Sequence, residues 1–177
     1  MLTVCLCSAL VSCGGDETED VSTENSTTAG NSENVTDEGY IYTVIDGLRY
    51  GIKDNEAEIA EQPRNINGEI VIPASISYKG ASYPVTSIGK YAFERCSRLT
   101  RVTFEEGNQL TSIGSYAFEY CDSLTSMEIS RTVTSVGYGA FSSCSSLTIY
   151  CEAEEKPSGW SSSWNRDNYP VVWGHEQ

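Results

Sequence analysis

The sequence predicts a mainly β solenoid, and two observations carry that prediction. The first is a gapless internal repeat with the pattern T-S-[IV]-G-x-x-A-F-x-x-C-x-x-L-T. Its glycines, Gly89, Gly114 and Gly137, are spaced by 25 and then 23 residues. A period of this length is typical of one supersecondary unit per repeat, stacked so that neighbouring units bury each other's apolar faces. Residues 85–149 are therefore predicted to form three stacked repeats.

The second observation is a strand pattern inside the repeats. Residues 99–104 (LTRVTF) and 124–129 (LTSMEI) follow L-x-x-L-x-L, and the last two apolar positions of the pattern are expected to alternate inward. The repeat glycine is expected to turn the chain because it tolerates a backbone angle that a Cβ would forbid. The Phe that follows Ala is then expected to fill the interior of each turn.

The repeat cysteines, Cys96, Cys121 and Cys144, are predicted to form a column along the solenoid. Their Cα atoms, about 5 Å apart, would lie within disulfide range, and an exported chain meets oxidising conditions. Side chains in a parallel ladder point the same way, however, which opposes the torsion of about 90° that a disulfide needs. Buried free thiols are therefore favoured over a bridge between neighbours. A linear column also does not supply the four converging ligands of a zinc site.

The repeat core I/V-G-x-x-A-F-x-x-C-x-x-L resembles the BspA-like leucine-rich-repeat family of bacterial surface antigens. The leading segment, residues 68–89, and the closing segment, residues 147–174, are also similar to that family. The resemblance implies a short leucine-rich-repeat solenoid. At the level of the class it implies adhesion or binding of a host protein, since a fold alone does not fix a function.

A solenoid exposes its core at both ends, so both ends are expected to be capped. Residues 40–84 are predicted to form an N-terminal β cap and leading segment that starts with a hairpin, because Asp46-Gly47 is a strong tight-turn signal. Residues 150–177 are predicted to form a C-terminal cap, since Trp160 and Trp164, with other large rings, follow the last repeat.

The first 39 residues of the chain predict export. Residues 1–13 are apolar and indicate a lipoprotein signal peptide, and residues 10–13 (LVSC) resemble a bacterial lipobox. That resemblance implies that Cys13 carries the lipid, with the protein anchored at a bacterial envelope or cell surface. Residues 14–39 hold eight acidic residues and no aromatic one, which predicts a disordered acidic linker.

Several function classes are disfavoured by composition. The net charge of −14, with no basic cluster, opposes binding to nucleic acid or to anionic lipid headgroups. His175 is the only histidine, and it lies two positions after the Pro-Val-Val-Trp segment near the end of the sequence, which leaves little scope for a Ser-His-Asp or Cys-His arrangement. The sequence therefore predicts a protein that is not an enzyme and has neither a cofactor nor a bound metal.

The predicted function is binding of a protein partner on the exposed face of the repeat strands. Side chains alternate along a strand, so the residues between the inward positions must face outward. The predicted partner-binding face comprises Arg101, Thr103, Ser126, Glu128 and Tyr150. A display adhesin of this kind is expected to be a monomer until its partner is added.

Two other functions fit the sequence. A structural or self-associating envelope spacer would change its mass with concentration. A carbohydrate-binding accessory module would use Trp160 and Trp164 as a sugar platform, and it requires those rings to be accessible.

Overall fold

The structure is a computed structural model that describes residues 38–175. Within that range the chain forms strands and turns without an α-helix, which confirms the mainly β class. The strands are β1 (Ile41–Ile45), β2 (Leu48–Lys53), β3 (Glu56–Ile59), β4 (Asn67–Ile72), β5 (Ser75–Tyr78), β6 (Ala81–Ile88), β7 (Arg98–Phe104), β8 (Ser112–Ile113), β9 (Ser126–Ile129), β10 (Ser135–Val136), β11 (Thr148–Cys151) and β12 (Val171–Trp173). Nothing in the described part of the chain is a helix suited to crossing a membrane.

The strands build two sheets that enclose the core. In the first sheet β3, β6, β8 and β10 run parallel, and in the second β4, β7, β9, β11 and β12 run parallel. The hairpin β1–β2 extends the first sheet by antiparallel pairing with β3. The path alternates between the two sheets, so it is a solenoid, as predicted.

The solenoid has about five turns, one for each strand of the second sheet, rather than only the three repeats predicted for residues 85–149. The outer turns lack the G-x-x-A-F stretch but keep the apolar strand. Ile70 pairs with Val102 at one end, and Val171 pairs with Ile149 at the other. Stacking therefore depends on the inward strand positions and not on the complete repeat pattern.

The interior is organised around a ladder of phenylalanine rings. Phe93, Phe118 and Phe141 are fully buried, and their stacked ring centroids are 5.1 and 5.5 Å apart. Backbone hydrogen bonds also join successive turns along the solenoid axis: the Phe93 N–H donates to the Ala117 carbonyl at 2.7 Å. Each ring thus covers the ring of the next turn, which is the interior role predicted for this position.

The repeat glycines serve a different purpose from the one predicted. Neither Gly89, Gly114 nor Gly137 has a positive φ, so the turn does not need glycine's extra backbone freedom. A Cβ on Gly114 would lie 2.5 Å from the backbone nitrogen of Lys90, and one on Gly137 would lie 2.4 Å from that of Ser115. The glycine is required because successive turns approach so closely that no side chain fits between them.

The left-handed backbone lies elsewhere in the repeat, at the second and the sixth residue after each glycine. Tyr91, Tyr116 and Gly139 have φ angles of 59°, 57° and 56°. A bulky side chain is rarely found in this region, so two of the three turns hold a strained tyrosine. A hydrogen bond to the next turn fixes each corner: the Tyr91 N–H donates to the carbonyl of Ser115 at 3.2 Å.

The repeat cysteines form the predicted column, and they are buried free thiols. The Cys121 thiol donates to the Phe93 carbonyl at 3.1 Å, and the Cys144 thiol donates to the Phe118 carbonyl at 3.0 Å. Each cysteine therefore satisfies a carbonyl of the preceding turn at a corner where a larger side chain would not fit.

Both predicted end regions contain the elements expected of them. Ile45 pairs with Leu48 across Asp46-Gly47, which confirms the hairpin. At the other end Trp160 and Trp164 are buried, and the Trp164 ring meets the Phe141 ring edge-on at 6.1 Å. The burial of both rings removes the sugar platform that the carbohydrate-binding alternative requires.

Candidate partner-binding face

Strand register places the predicted binding residues in two outward rows of the second sheet. Arg101 pairs with Ser126, which pairs with Thr148. In the adjacent row Glu128 pairs with Tyr150. The inward residues between these rows are buried, so both rows belong to the outer face. Ile149 pairs with Met127 on the inner side, which leaves Tyr150 on the outer face.

The outer row extends further than the predicted face. Val71 lies beside Thr103 at the start of the row, and Val172 lies beside Tyr150 at its end. These two valines are 56% and 41% exposed. The row therefore runs across all five strands, with an apolar side chain at each end.

Four of the five predicted residues line one open depression of about 320 Å³. They are joined there by a residue that the sequence did not place at the site. The lining residues are Arg101, Ser126, Glu128, Tyr150 and His175.

His175 reaches this depression because it lies two residues after β12, the strand that pairs with β11. Its backbone N–H donates to the carbonyl of Cys151 at 2.9 Å, which fixes its position beside β11. The imidazole lies against the Tyr150 ring, with the centroids 4.9 Å apart. No repeat pattern covers this residue, so its position could not be predicted from the repeats.

The charges of the depression are paired across neighbouring strands. Arg101 Nη2 lies 3.9 Å from Glu128 Oε1, and both side chains are partly exposed. An exposed pair at this distance contributes little to stability. The Arg101 guanidinium can therefore turn towards a ligand at small cost.

Thr103, the fifth predicted residue, lies outside that depression. Its hydroxyl donates to the carbonyl of Ile70 at 3.3 Å. It lines a neighbouring depression of about 510 Å³ whose wall includes Glu105, Glu106 and Glu152. The predicted face is therefore divided into a mixed half around Tyr150 and an acidic half beside Thr103.

The carboxylates of the acidic half are not arranged to hold a metal ion. Across residues 38–175, no group of three or more His, Cys, Asp or Glu side chains is arranged to hold an ion. Glu105 accepts the backbone N–H of Ala74 at 3.0 Å, and Glu152 accepts that of Arg131 at 3.1 Å. These carboxylates support loops of the solenoid.

The buried cysteines offer no reactive thiolate. Burial raises the pKa of Cys96 to about 11 and that of Cys151 to about 12. A hydrogen bond with Cys144, together with burial, raises the pKa of Cys121. These thiols stay protonated near neutral pH, where a nucleophile would need to be a thiolate. The predicted lipid-attachment residue, Cys13, lies outside the described residues.

Comparison with known proteins identifies the repeats. A family model for the BspA type leucine rich repeat region matches residues 70–154 with six copies. Residues 70–154 belong to the BspA-type leucine-rich-repeat family. The matched residues contain all three repeats of the glycine pattern, the whole of β7, β9 and β11 of the second sheet, and part of β4.

Solved structures with a similar fold come from several bacteria. A leucine-rich repeat protein from Bacteroides capillosus is 22% identical with a TM-score of 0.42, over 74% of this chain and 98% of that one. A leucine rich cell surface protein from Faecalibacterium prausnitzii is 18% identical with a TM-score of 0.40, over 77% and 55%. The pneumococcal vaccine antigen PcpA is 17% identical with a TM-score of 0.44, over 69% and 38%. This chain thus spans about half or less of the last two proteins. No curated protein matches the sequence.

Proposed function

We propose that this BspA-type protein is displayed at a bacterial envelope by a lipid on Cys13 and binds another protein, without catalysis, through the outer face of its second sheet. Adhesion to a host or envelope protein is the role that this arrangement suits. The observation that carries the proposal is the depression around Tyr150, which brings an aromatic ring, a base, an acid and an imidazole together on a rigid sheet.

This mixture is typical of protein interfaces rather than of enzyme sites. Tyr and Arg are enriched at interfaces and often dominate their energetics. Tyr150 is held between Glu128 and Val172 on neighbouring strands, so little side-chain freedom remains to be lost on binding. The face supplies one anchoring ring with polar groups around it.

The size of the face limits its affinity. Five strands at a spacing of about 4.8 Å span only about 20 Å. A stable complex usually buries about 800 Å² on each partner. One copy of this face is therefore expected to bind weakly, and several copies acting together would bind more strongly.

The test is binding of the purified chain to an array of purified extracellular-matrix and envelope proteins. Tyr150→Ala and Arg101→Glu should each weaken a positive interaction at least about tenfold, the range of an interface anchor. The matched controls, Tyr138→Ala and Arg166→Glu, remove an exposed ring and a base located near the first sheet and should bind normally.

Two results would contradict the assigned face. One is normal binding by both face variants while changes in residues 105–109 abolish it, which would move the contact to the loop edge. The other is equal loss in the face variants and the controls, which would indicate a nonspecific contribution of rings and bases.

Anchoring has its own test. If Cys13 carries the lipid, Cys13→Ala should move the protein from the membrane fraction to the soluble fraction of its host cell. Cys7→Ala, in the same apolar run, is the matched control and should leave the distribution unchanged. Membrane retention of the Cys13 variant would refute the lipobox.

A further inference from the structure

Strand β1 is an unprotected sheet edge. It ends the first sheet, and on its outer side no strand within residues 38–175 pairs with it. Its sequence, IYTVI, has no charge, proline or glycine, and Val44 is 62% exposed. Natural proteins usually blunt such an edge with Lys, Pro or a bulge because it can pair with another chain.

The hairpin decides which backbone groups are available. Across a two-residue turn, Ile45 and Leu48 exchange both hydrogen bonds, and the pattern alternates from there. Ile41, Thr43 and Ile45 therefore direct their N–H and C=O groups to β2. Tyr42 and Val44 direct theirs to the open edge.

We propose that β1 pairs antiparallel with β1 of a second copy about a two-fold axis at Thr43. In this register Tyr42 faces Val44 of the second copy and exchanges two hydrogen bonds with it. Val44 makes the equivalent two bonds with Tyr42 of the second copy. The outward N–H and C=O groups of both residues are then all hydrogen-bonded. The proposal goes beyond partner binding and does not depend on it, because it uses the edge of the other sheet.

The register makes the strand complementary to itself. It places Thr43 beside Thr43, Tyr42 beside Val44, and Ile41 beside Ile45. Thr–Thr, aromatic with β-branched, and apolar pairs are the cross-strand combinations that stabilise antiparallel sheets. A register shifted by one residue would pair backbone groups that already bond to β2.

The ends of the paired strands bring Asp46 opposite Tyr40 of the second copy. In each copy Lys53 Nζ lies 5.1 Å from the centroid of the Tyr40 ring, and three acidic side chains also lie near that ring. The acidic residues 14–37 would bring no apolar strand to this edge and would add negative charge. A second copy is therefore the better occupant.

A five-residue strand pair buries less than the roughly 1,000 Å² of a stable interface, so the dimer should be weak and reversible. The monomer expected from the sequence is replaced here by a concentration-dependent dimer. Each dimer would present two outer faces of the second sheet, and lipid anchoring would raise the local concentration of copies. Weak single-face binding would then become bivalent.

The test is sedimentation equilibrium of the full chain from about 5 to about 500 µM, a range that brackets a weak interface. The wild type should shift towards twice the monomer mass, and Val44→Lys should stay closer to the monomer at every concentration. Val71→Lys, an equally accessible valine on the edge strand of the second sheet, is the matched control and should behave as wild type. Equal association of Val44→Lys and wild type, or a monomeric wild type throughout, would overturn the proposal.

A crosslink tests the register itself, in a chain with Cys5, Cys7 and Cys13 changed to Ser. Residues facing each other in a non-hydrogen-bonded antiparallel pair have Cα atoms about 4.5 Å apart, within disulfide range. Thr43→Cys should therefore form a disulfide-linked dimer when diamide is added. Residue 44 of one copy lies diagonally across from residue 44 of the other, so Val44→Cys should form at least several-fold less of that dimer. Equal crosslinking of the two variants would overturn the two-fold axis at Thr43.

Loss of the dimer would leave the binding tests of Tyr150 unaffected, so the two proposals can fail separately.

Discussion

Val102, Met127 and Ile149 occupy equivalent positions in three successive strands, and all three are buried. Their neighbours in the same strands, Arg101 and Ser126, point to the other side and share neither charge nor size. The inward residues must fit the same space in every turn, so they stay apolar. The outward residues face solvent and are free to differ. The inside of the solenoid thus sets the fold, and the outside carries whatever specificity the protein has.

This comparison predicts that inward changes alter stability and outward changes alter binding only. The largest effect is expected for Phe118→Ala, because its ring is covered by Phe93 on one side and Phe141 on the other. Removing it should lower the free energy of unfolding by about 3–5 kcal/mol. Denaturant unfolding should show the loss. Phe104→Ala, at a partly buried position near the loop, should cost less; a larger cost there would refute the central role of the ladder.

Gly114→Ala tests the comparison at a position where two turns of the solenoid approach each other closely. The added methyl would collide with the backbone of Lys90 and Gly89, which cannot rotate away as a side chain could. We expect a loss of about 1–3 kcal/mol, the range for overpacking. Gly107→Ala is the control: it has a φ of 75° and open space around it, so it tests backbone strain without collision. Equal melting of the wild type and the Gly114 variant would contradict the close approach.

The buried thiols predict a loss of stability at high pH. The pKa of Cys96 is raised to about 11 and that of Cys151 to about 12, against 9.0 in the unfolded chain. The contribution of these protonated thiols is complete below about pH 9, and it is lost as the pH rises through the folded values. Between the unfolded and folded pKa values, each thiol should lower the free energy of unfolding by up to about 1.4 kcal/mol per pH unit.

Thermal unfolding between pH 8 and 10.5 measures this effect. Cys96→Ala and Cys151→Ala should each flatten the pH dependence relative to wild type, whatever their own stability. Thiol titration adds a second readout: Cys96, Cys121, Cys144 and Cys151 should react slowly with a maleimide until the chain is unfolded. A titration that finds only two of these four thiols after denaturation without reductant would indicate a bridge.

The smallest effect on stability is expected for the outward residues. Tyr150→Ala and Arg101→Glu should change the free energy of unfolding by no more than about 0.5 kcal/mol, the usual range for surface positions. Their melting curves should overlay that of wild type. A loss above about 2 kcal/mol would mean that Tyr150 supports the fold through its contact with His175, and its role in binding would need other variants.

The sequence by itself determined the class of fold, the stacking of the repeats and the direction of their side chains. A repeat that recurs without gaps fixes equivalent positions, and strand alternation then separates inward from outward residues. The phenylalanine ladder, the column of free cysteines and the outward placement of Tyr150 followed from those two rules. The hairpin at Asp46-Gly47 followed from local turn chemistry.

Only the tertiary structure decided the features that depend on contacts between turns. The role of Gly114 is a distance to the neighbouring backbone, which no local pattern contains. His175 joins Tyr150 because it lies two residues after β12, the strand that pairs with β11, and the left-handed Tyr91 is held by a bond to Ser115 of the next turn. The open edge of β1 is likewise a property of the sheet order. Repetition and alternation are properties of the chain, whereas closeness between residues far apart in sequence exists only after folding.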